Sequence, residues 1–155
     1  MASWSEFEAE APDLAEVARS LFDAHVNKTF ATLRRDGSPR ISGIEVDFTD
    51  GDLWFGSMWQ ALKARDLQRD PRFALHSGSS DPPAWKGDAK VSGRALEIGD
   101  PGIKAAHGSG APPGPFHLFR ADIQEVVVVR VGDPADHIVV DSWHPGRGLA
   151  RRERR

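Results

Sequence analysis

Two Asp-Gly pairs, at residues 36–37 and 50–51, are the sequence feature that most restricts the fold of this chain. Asp-Gly favours the tight turn that joins neighbouring antiparallel strands. Between the two pairs the apolar residues Ile44, Val46 and Phe48 alternate with polar ones, as in a strand that is buried on one face. The sequence therefore predicts hairpin-connected antiparallel strands over residues 29–35, 39–48 and 52–57.

The remainder of the chain adds four more strand patterns and few helical ones. We predict strands over 72–77, 88–98, 117–131 and 136–143. A first helix is predicted to run to about residue 25, with Asp13 as its N-cap and Glu16 as the capping-box partner. A second is predicted over 60–69, and one or two helical turns within 100–107. This order predicts a mainly β (α+β) fold, a closed or nearly closed antiparallel barrel of six to seven strands with an N-terminal helix and a short helix after the third strand.

Chain length and the composition of the two terminal segments predict one domain with two short extensions. A chain of 155 residues is long enough to bury a core but short for two domains. Residues 1–10 are acidic and predicted to be a loose lead-in. Residues 146–155 form a basic tail that is predicted to be frayed, and the domain is assigned to residues 11–145.

Composition excludes several function classes. The net charge of −3 argues against a general nucleic-acid binder, although the basic tail leaves that reading as a minor alternative. The chain has no cysteine, so thiol catalysis, disulfides and cysteine-based zinc sites are excluded. No signal peptide or membrane-spanning run is predicted, and a cytoplasmic protein that does not bind membranes is expected. The six histidines show no close metal-ligand spacing, so no metal site is predicted.

A strand–turn–helix junction over residues 54–67 carries the best candidate site. Gly56 permits a close backbone approach, and Ser57 offers a hydroxyl as N-cap or ligand. Lys63 lies in the first helical turns, and residues 56–65 contain no acid. A cation beside a helix N-terminus is how phosphates are held, so the junction predicts an anion site. The alternative is an ordinary junction with a solvated lysine, and the pattern is not a Walker A loop.

The ordered motifs resemble the pyridoxamine 5′-phosphate oxidase-like family of flavin-binding split barrels. The spacing from Lys63 to Asp70-Pro71, after an aromatic strand, is a fairly specific part of the match. The resemblance covers roughly residues 25–145. Its matching pieces lie at 30–33, 36–40, 53–57, 63–67, 69–75 and 116–122.

The resemblance implies an antiparallel Greek-key split barrel of six strands that works as a homodimer. It also implies a flavin-type cofactor in a groove at the subunit interface and a small-molecule substrate. FMN is the expected cofactor, with a deazaflavin coenzyme as the alternative. Carried over by position, Ser57 and Lys63 would contact the phosphate. The strand that includes Ser42, Gly43 and Ile44 would line the ring. The contact set is completed by Gly56 in the turn and by two aromatic walls or lids that we infer, Trp59 and Trp85.

The sequence departs from the namesake oxidases at several positions. Leu62 stands where those enzymes have an arginine before the helix lysine. Glu45 and Asp47 lie where their second strand is basic, and their C-terminal Arg-and-His substrate motif has no clear counterpart. We therefore predict a flavin- or deazaflavin-dependent oxidoreductase that is not a true pyridoxamine phosphate oxidase. The alternative is a non-enzymatic carrier of flavin, haem or tetrapyrrole on the same barrel, and no catalytic side chain is assigned.

Overall fold

A computed structural model describes residues 1–108 and 112–155 of the chain, with four helices and nine strands in those ranges. No helix of the described ranges is both long and apolar enough to cross a bilayer. The helices are α1 (Trp4–Glu10), α2 (Pro12–Asp23), α3 (Leu62–Arg69) and α4 (Pro101–His107). The strands are β1 (Lys28–Leu33), β2 (Pro39–Ile44), β3 (Val46–Thr49), β4 (Asp52–Met58), β5 (Arg72–His76), β6 (Asp88–Glu97), β7 (Phe116–Val131), β8 (Ile138–His144) and β9 (Gly148–Arg154).

The strands form one antiparallel sheet that closes on itself. Its order is β2-β1-β5-β6-β7-β4-β3. The two ends of this path, β2 and β3, are separated in the chain only by Glu45. At this residue the chain leaves its pairing with β1 and begins to pair with β4. This exchange of partners closes the barrel and confirms the predicted fold class.

The long strand β7 is where the barrel splits. Its first part, Phe116 to Arg120, pairs with β4, whereas Val126 to Val131 pairs with β8. The middle of β7 remains paired with β6 along most of its length. The predicted strand over 39–48 is therefore wrong in one respect, because it is divided into β2 and β3. Together with β9, this division raises the number of strands above the predicted six to seven.

A cluster of phenylalanines occupies the barrel interior. Phe30 is fully buried, and its ring lies 5.0 Å from that of Phe55 and 5.6 Å from that of Phe73. Phe55 also packs on Phe119, with 5.8 Å between the ring centroids. Four different strands supply these rings, so the cluster joins the hairpins into one core.

The N-terminal segment is not the predicted loose lead-in. Ser3 and Glu6 form a capping box that begins α1, with the Ser3 hydroxyl accepting from the Glu6 amide at 3.1 Å. Trp4 and Phe7 are buried, and the Phe7 ring lies 5.1 Å from that of Trp143 in β8. The sequence does not reveal this helix, because residues 4–10 are rich in glutamate and include only two large apolar residues, Trp4 and Phe7.

The two other end predictions also need correction. Asp13 does not cap α2, which begins at Pro12 with Ala11 as N-cap and has no side-chain capping bond. The basic tail is not frayed, because β9 pairs with β8 along its whole length. A bidentate ion pair supports that pairing, because Arg151 donates to both oxygens of the buried Asp141 carboxylate, at 2.6 and 3.0 Å.

Candidate functional site

A groove of about 670 Å³ lies where the closing exchange between β2 and β3 meets β4 and the start of α3. That size falls within the range of about 300–1,000 Å³ that is typical of small-ligand pockets. Five of the eight residues predicted to bind the cofactor line it: Gly43, Ile44, Gly56, Ser57 and Lys63. We refer to this space as the β2–β4 groove.

Lys63 is the cation of the β2–β4 groove. It lies in the first turn of α3, and its Nζ donates to the backbone carbonyl of Gly43. Burial lowers the pKa of this amine below its ordinary value. Among the described residues, no carboxylate forms a salt bridge with it. A half-buried ammonium with no anionic partner would gain by contact with a phosphate.

Two glycines open the strand backbone to this groove. A Cβ added at Gly43 would meet no atom within 4 Å, so it would project into open space. At Gly56 the nearest atom would be the carbonyl oxygen of His117, at 3.7 Å. Both positions thus leave main chain uncovered, and a flat ring could approach that main chain closely. These features fit the binding of a phosphate-bearing aromatic cofactor.

Carboxylates and aromatic rings also line the β2–β4 groove. Glu45 and Asp47 are part of its lining. His107 lies nearby and stacks on Trp54, with 3.9 Å between the ring centroids and 21° between the planes. The His107 side chain is only 7% exposed, and its Nε2 lies 3.6 Å from Asp50 Oδ2. The groove lining therefore combines one lysine with two carboxylates.

The structure does not bring all the predicted contacts together. Ser42 lies outside the groove lining, and its hydroxyl is buried without a hydrogen-bond partner among the described residues. Trp59 is 52% exposed and stacks on His117 instead of lining the groove. Trp85 is also outside the lining, and its indole N–H donates to Asp88 at 2.9 Å. The aromatic side chains that line the groove are instead those of Trp54, Phe55 and Phe116.

Ser57 lines the groove from the end of β4 and does not cap α3. The helix has Ala61 as its N-cap and no side-chain capping bond. Ser57 is buried, and its hydroxyl lies 3.5 Å from the carbonyl oxygen of Met58. Four residues, the last of β4 and the three that follow it, thus separate Ser57 from the first residue of the helix. The predicted N-cap role is wrong, whereas contact of the Ser57 hydroxyl with a ligand stays a prediction.

His117 organises this turn and was not identified as a site residue from the sequence. Its Nε2 accepts a hydrogen bond from the backbone N–H of Gln60 at 3.1 Å. The proton therefore resides on Nδ1, which lies 2.6 Å from Glu97 Oε1. Gln60 has a φ of 61°, which is costly for a residue with a Cβ. The buried imidazole stabilises this strained turn and so positions the start of α3.

Comparison with known proteins finds one matching family model and several solved structures of similar fold. A family model described as pyridoxamine 5′-phosphate oxidase matches residues 14–130. No curated protein matches the sequence. Among solved structures, PhzG from Burkholderia lata 383, in complex with tetrahydrophenazine-1-carboxylic acid, superposes with a TM-score of 0.67 at 14% identity, covering 99% of this chain and 98% of that one.

Two further solved structures have the same fold. A haem-binding protein from Mycobacterium smegmatis has a TM-score of 0.60 at 17% identity, with coverage of 92% of this chain and 88% of its own. A protein related to general stress protein 26, of the pyridoxinephosphate oxidase family, from Clostridium acetobutylicum has a TM-score of 0.56 at 14% identity, covering 76% and 87%. At these identities the similarity establishes the fold and leaves the ligand open.

Proposed function

Because this chain belongs to the pyridoxamine 5′-phosphate oxidase family, we propose that it binds FMN in the β2–β4 groove and acts as a flavin-dependent oxidoreductase. A deazaflavin coenzyme is the alternative cofactor. The observation that carries the proposal is Lys63, a half-buried cation without a carboxylate partner among the described residues, beside the open backbone of Gly43. A bound flavin would supply the hydride or electron transfer.

The residues of the chain would bind and orient the cofactor. Lys63 and the Ser57 hydroxyl would hold the phosphate, and the main chain from residue 41 to 45 would lie against the ring. Glu45 and Asp47 would repel a second anion in their part of the groove. With Leu62 in place of an arginine, these carboxylates argue against pyridoxamine 5′-phosphate as the substrate. Binding and orientation by this chain need no acid, base or nucleophile among its side chains.

We expect Lys63→Ala to weaken FMN binding by about tenfold or more, because one charge-assisted contact to a phosphate is lost. Stability should change little, since a half-exposed lysine contributes little to folding. Titration of FMN into the protein, followed by quenching of tryptophan fluorescence, measures the affinity. Lys86→Ala is the matched control, because Lys86 is exposed and lies outside the groove. Equal affinity of both variants for FMN would remove Lys63 from the site.

The cofactor groove is also proposed to be completed by a second copy of the chain. Four apolar side chains adjoin it and remain exposed: Ile41 at 74%, Met58 at 74%, Trp59 at 52% and Leu62 at 63%. They belong to β2, the end of β4, the following turn and the start of α3. Large apolar groups left exposed on the elements that form a groove favour a protein interface there. Sedimentation equilibrium should give the mass of a dimer, and a monomer at micromolar concentration would contradict this part of the proposal.

A second candidate function is the binding of haem in the same groove. The structural similarity to a haem-binding protein favours it. His107 adds an imidazole to the groove lining, and imidazole is a common axial ligand of haem iron. Haemin titration would then give a Soret shift that His107→Ala abolishes. Binding of FMN without such a shift would exclude this candidate.

A further inference from the structure

A second concave surface lies beside the β2–β4 groove, and most of its charged side chains are positive. It has a volume of about 1120 Å³ and lies between the β1–β2 hairpin and α3. Ten residues line it: five arginines (Arg34, Arg35, Arg40, Arg65, Arg69), two aspartates (Asp36, Asp66), two glutamines (Gln60, Gln68) and Leu62. We call this surface the arginine cleft.

Both carboxylates of the arginine cleft already have partners within the protein. Asp66 is 2% exposed and accepts hydrogen bonds from Thr32 at 2.8 Å, Arg40 at 2.7 Å and Arg69 at 2.8 Å. Asp36 accepts from the backbone N–H and hydroxyl of Ser38, at 3.0 and 2.6 Å. Asp66 is therefore shared by Arg40 and Arg69. Asp36 keeps its negative charge, and the hydrogen bonds from Ser38, helped by Arg34 nearby, lower its pKa. Five arginines against two aspartates still leave the cleft with an excess of positive charge.

Three guanidinium groups of the cleft are left without an acidic partner. Arg65 donates to the neutral side-chain oxygen of Gln60. Within residues 1–108 and 112–155, neither Arg34 nor Arg35 forms a salt bridge. All three side chains are exposed and line the same concavity. A chain with a net charge of −3 thus concentrates positive charge here, and such a concentration attracts anions.

The type of cation in the cleft indicates which anionic groups it can bind. All five cations are arginines, whose planar forks bind phosphate or carboxylate through two parallel hydrogen bonds. Arg40 and Arg69 are held in place by the buried Asp66, so part of the cleft is preorganised. Three guanidiniums that form no salt bridge with any described residue are distributed over a hairpin and a helix, and they exceed what a single anionic group could contact.

We propose that the arginine cleft is a second anion-binding site, which takes a small polyanion carrying two or more phosphate or carboxylate groups. The two concave surfaces share the start of α3: Ala61 and Lys63 line the groove, whereas Gln60, Leu62 and Arg65 line the cleft. The polyanion is either a separate molecule or an anionic extension of the molecule in the groove. The site does not depend on the identity of the cofactor.

Inorganic tripolyphosphate is the probe, titrated calorimetrically into the 155-residue protein at constant ionic strength. The double variant Arg34→Gln with Arg65→Gln should weaken its binding by about tenfold or more. Arg152→Gln with Arg154→Gln is the matched control, because it removes two exposed charges from β9, outside both surfaces. The control should change the affinity less than about twofold.

Three outcomes would overturn the proposal: no binding of tripolyphosphate, an equal loss in the β9 control, or loss in Lys63→Ala with the double arginine variant unaffected. The last result would place the probe on Lys63 in the groove. Competition separates the two sources of polyanion. Simultaneous binding of FMN and tripolyphosphate indicates a separate molecule, whereas mutual displacement with loss in the arginine variant indicates an extension of the groove ligand. Failure of FMN to bind would contradict the proposed cofactor and leave the tripolyphosphate result intact.

Discussion

Phe30→Ala is expected to destabilise the protein by about 3 to 5 kcal/mol. Phe30 is fully buried at the centre of β1, between strands β2 and β5. Its ring packs on Phe55 and Phe73, so truncation leaves a cavity that a closed barrel cannot readily fill. The change should shift the midpoint of urea unfolding strongly without changing its slope.

Two comparisons make the Phe30→Ala experiment specific. Phe30→Leu retains most of the volume and should cost no more than about 1.5 kcal/mol. Leu149→Ala, on a side chain that is 57% exposed in β9, should change the free energy of unfolding by less than about 0.5 kcal/mol. A loss at Phe30→Ala as small as that at Leu149→Ala would contradict the position of this ring in the core.

Asp66→Asn is expected to destabilise the protein by about 2 to 3 kcal/mol. Asp66 joins α3 to β1 and β2, because it accepts from Thr32, Arg40 and Arg69. An amide leaves two guanidiniums without their counter-charge, although their partial exposure reduces the penalty. Asp70→Asn is the control and should have a much smaller effect, since its partner Arg72 is 64% exposed.

The pH dependence of stability tests the ion pairs of Asp66 directly. Burial opposes ionisation of Asp66, but hydrogen bonds from Arg40 and Thr32 outweigh it, and its pKa lies below the ordinary value. The folded state therefore binds this proton less tightly than the unfolded chain does. The stability that Asp66 provides is complete above its unfolded pKa, near pH 4, and is lost as the pH falls through the lower folded value. The difference in unfolding free energy between wild type and Asp66→Asn should shrink in that window, and a constant difference would contradict the ion pair.

Local patterns in the sequence were sufficient for most of the sheet. The Asp-Gly turns and the alternation of Ile44, Val46 and Phe48 predicted hairpins that the structure contains. They could not reveal the break at Glu45, because the alternation continues through it. Only the exchange of partners between β1 and β4 shows that break, and it depends on contacts distant in sequence.

The candidate site was predictable only in part, for a similar reason. Gly43, Gly56 and Lys63 belong to segments whose residue types alone suggest a binding role, and the fold brings them together. Trp85 is predicted to be a ligand wall because it lies in a turn-rich loop, yet its indole N–H donates a hydrogen bond to Asp88. The role of His117 was hidden, because its contacts are with a turn 57 residues away. The five arginines of the cleft are likewise dispersed over residues 34–69.

The most direct test of the central claim, a phosphate-bearing flavin held by Lys63 in the β2–β4 groove, is to compare FMN with riboflavin. The two ligands share the ring and differ in the phosphate, so the ratio of their affinities isolates the anion contact. We expect FMN to bind the wild-type protein at least about tenfold more tightly than riboflavin, and this preference to disappear in Lys63→Ala. Equal affinity for both ligands in the wild-type protein, or a preference that Lys63→Ala leaves intact, would contradict the account.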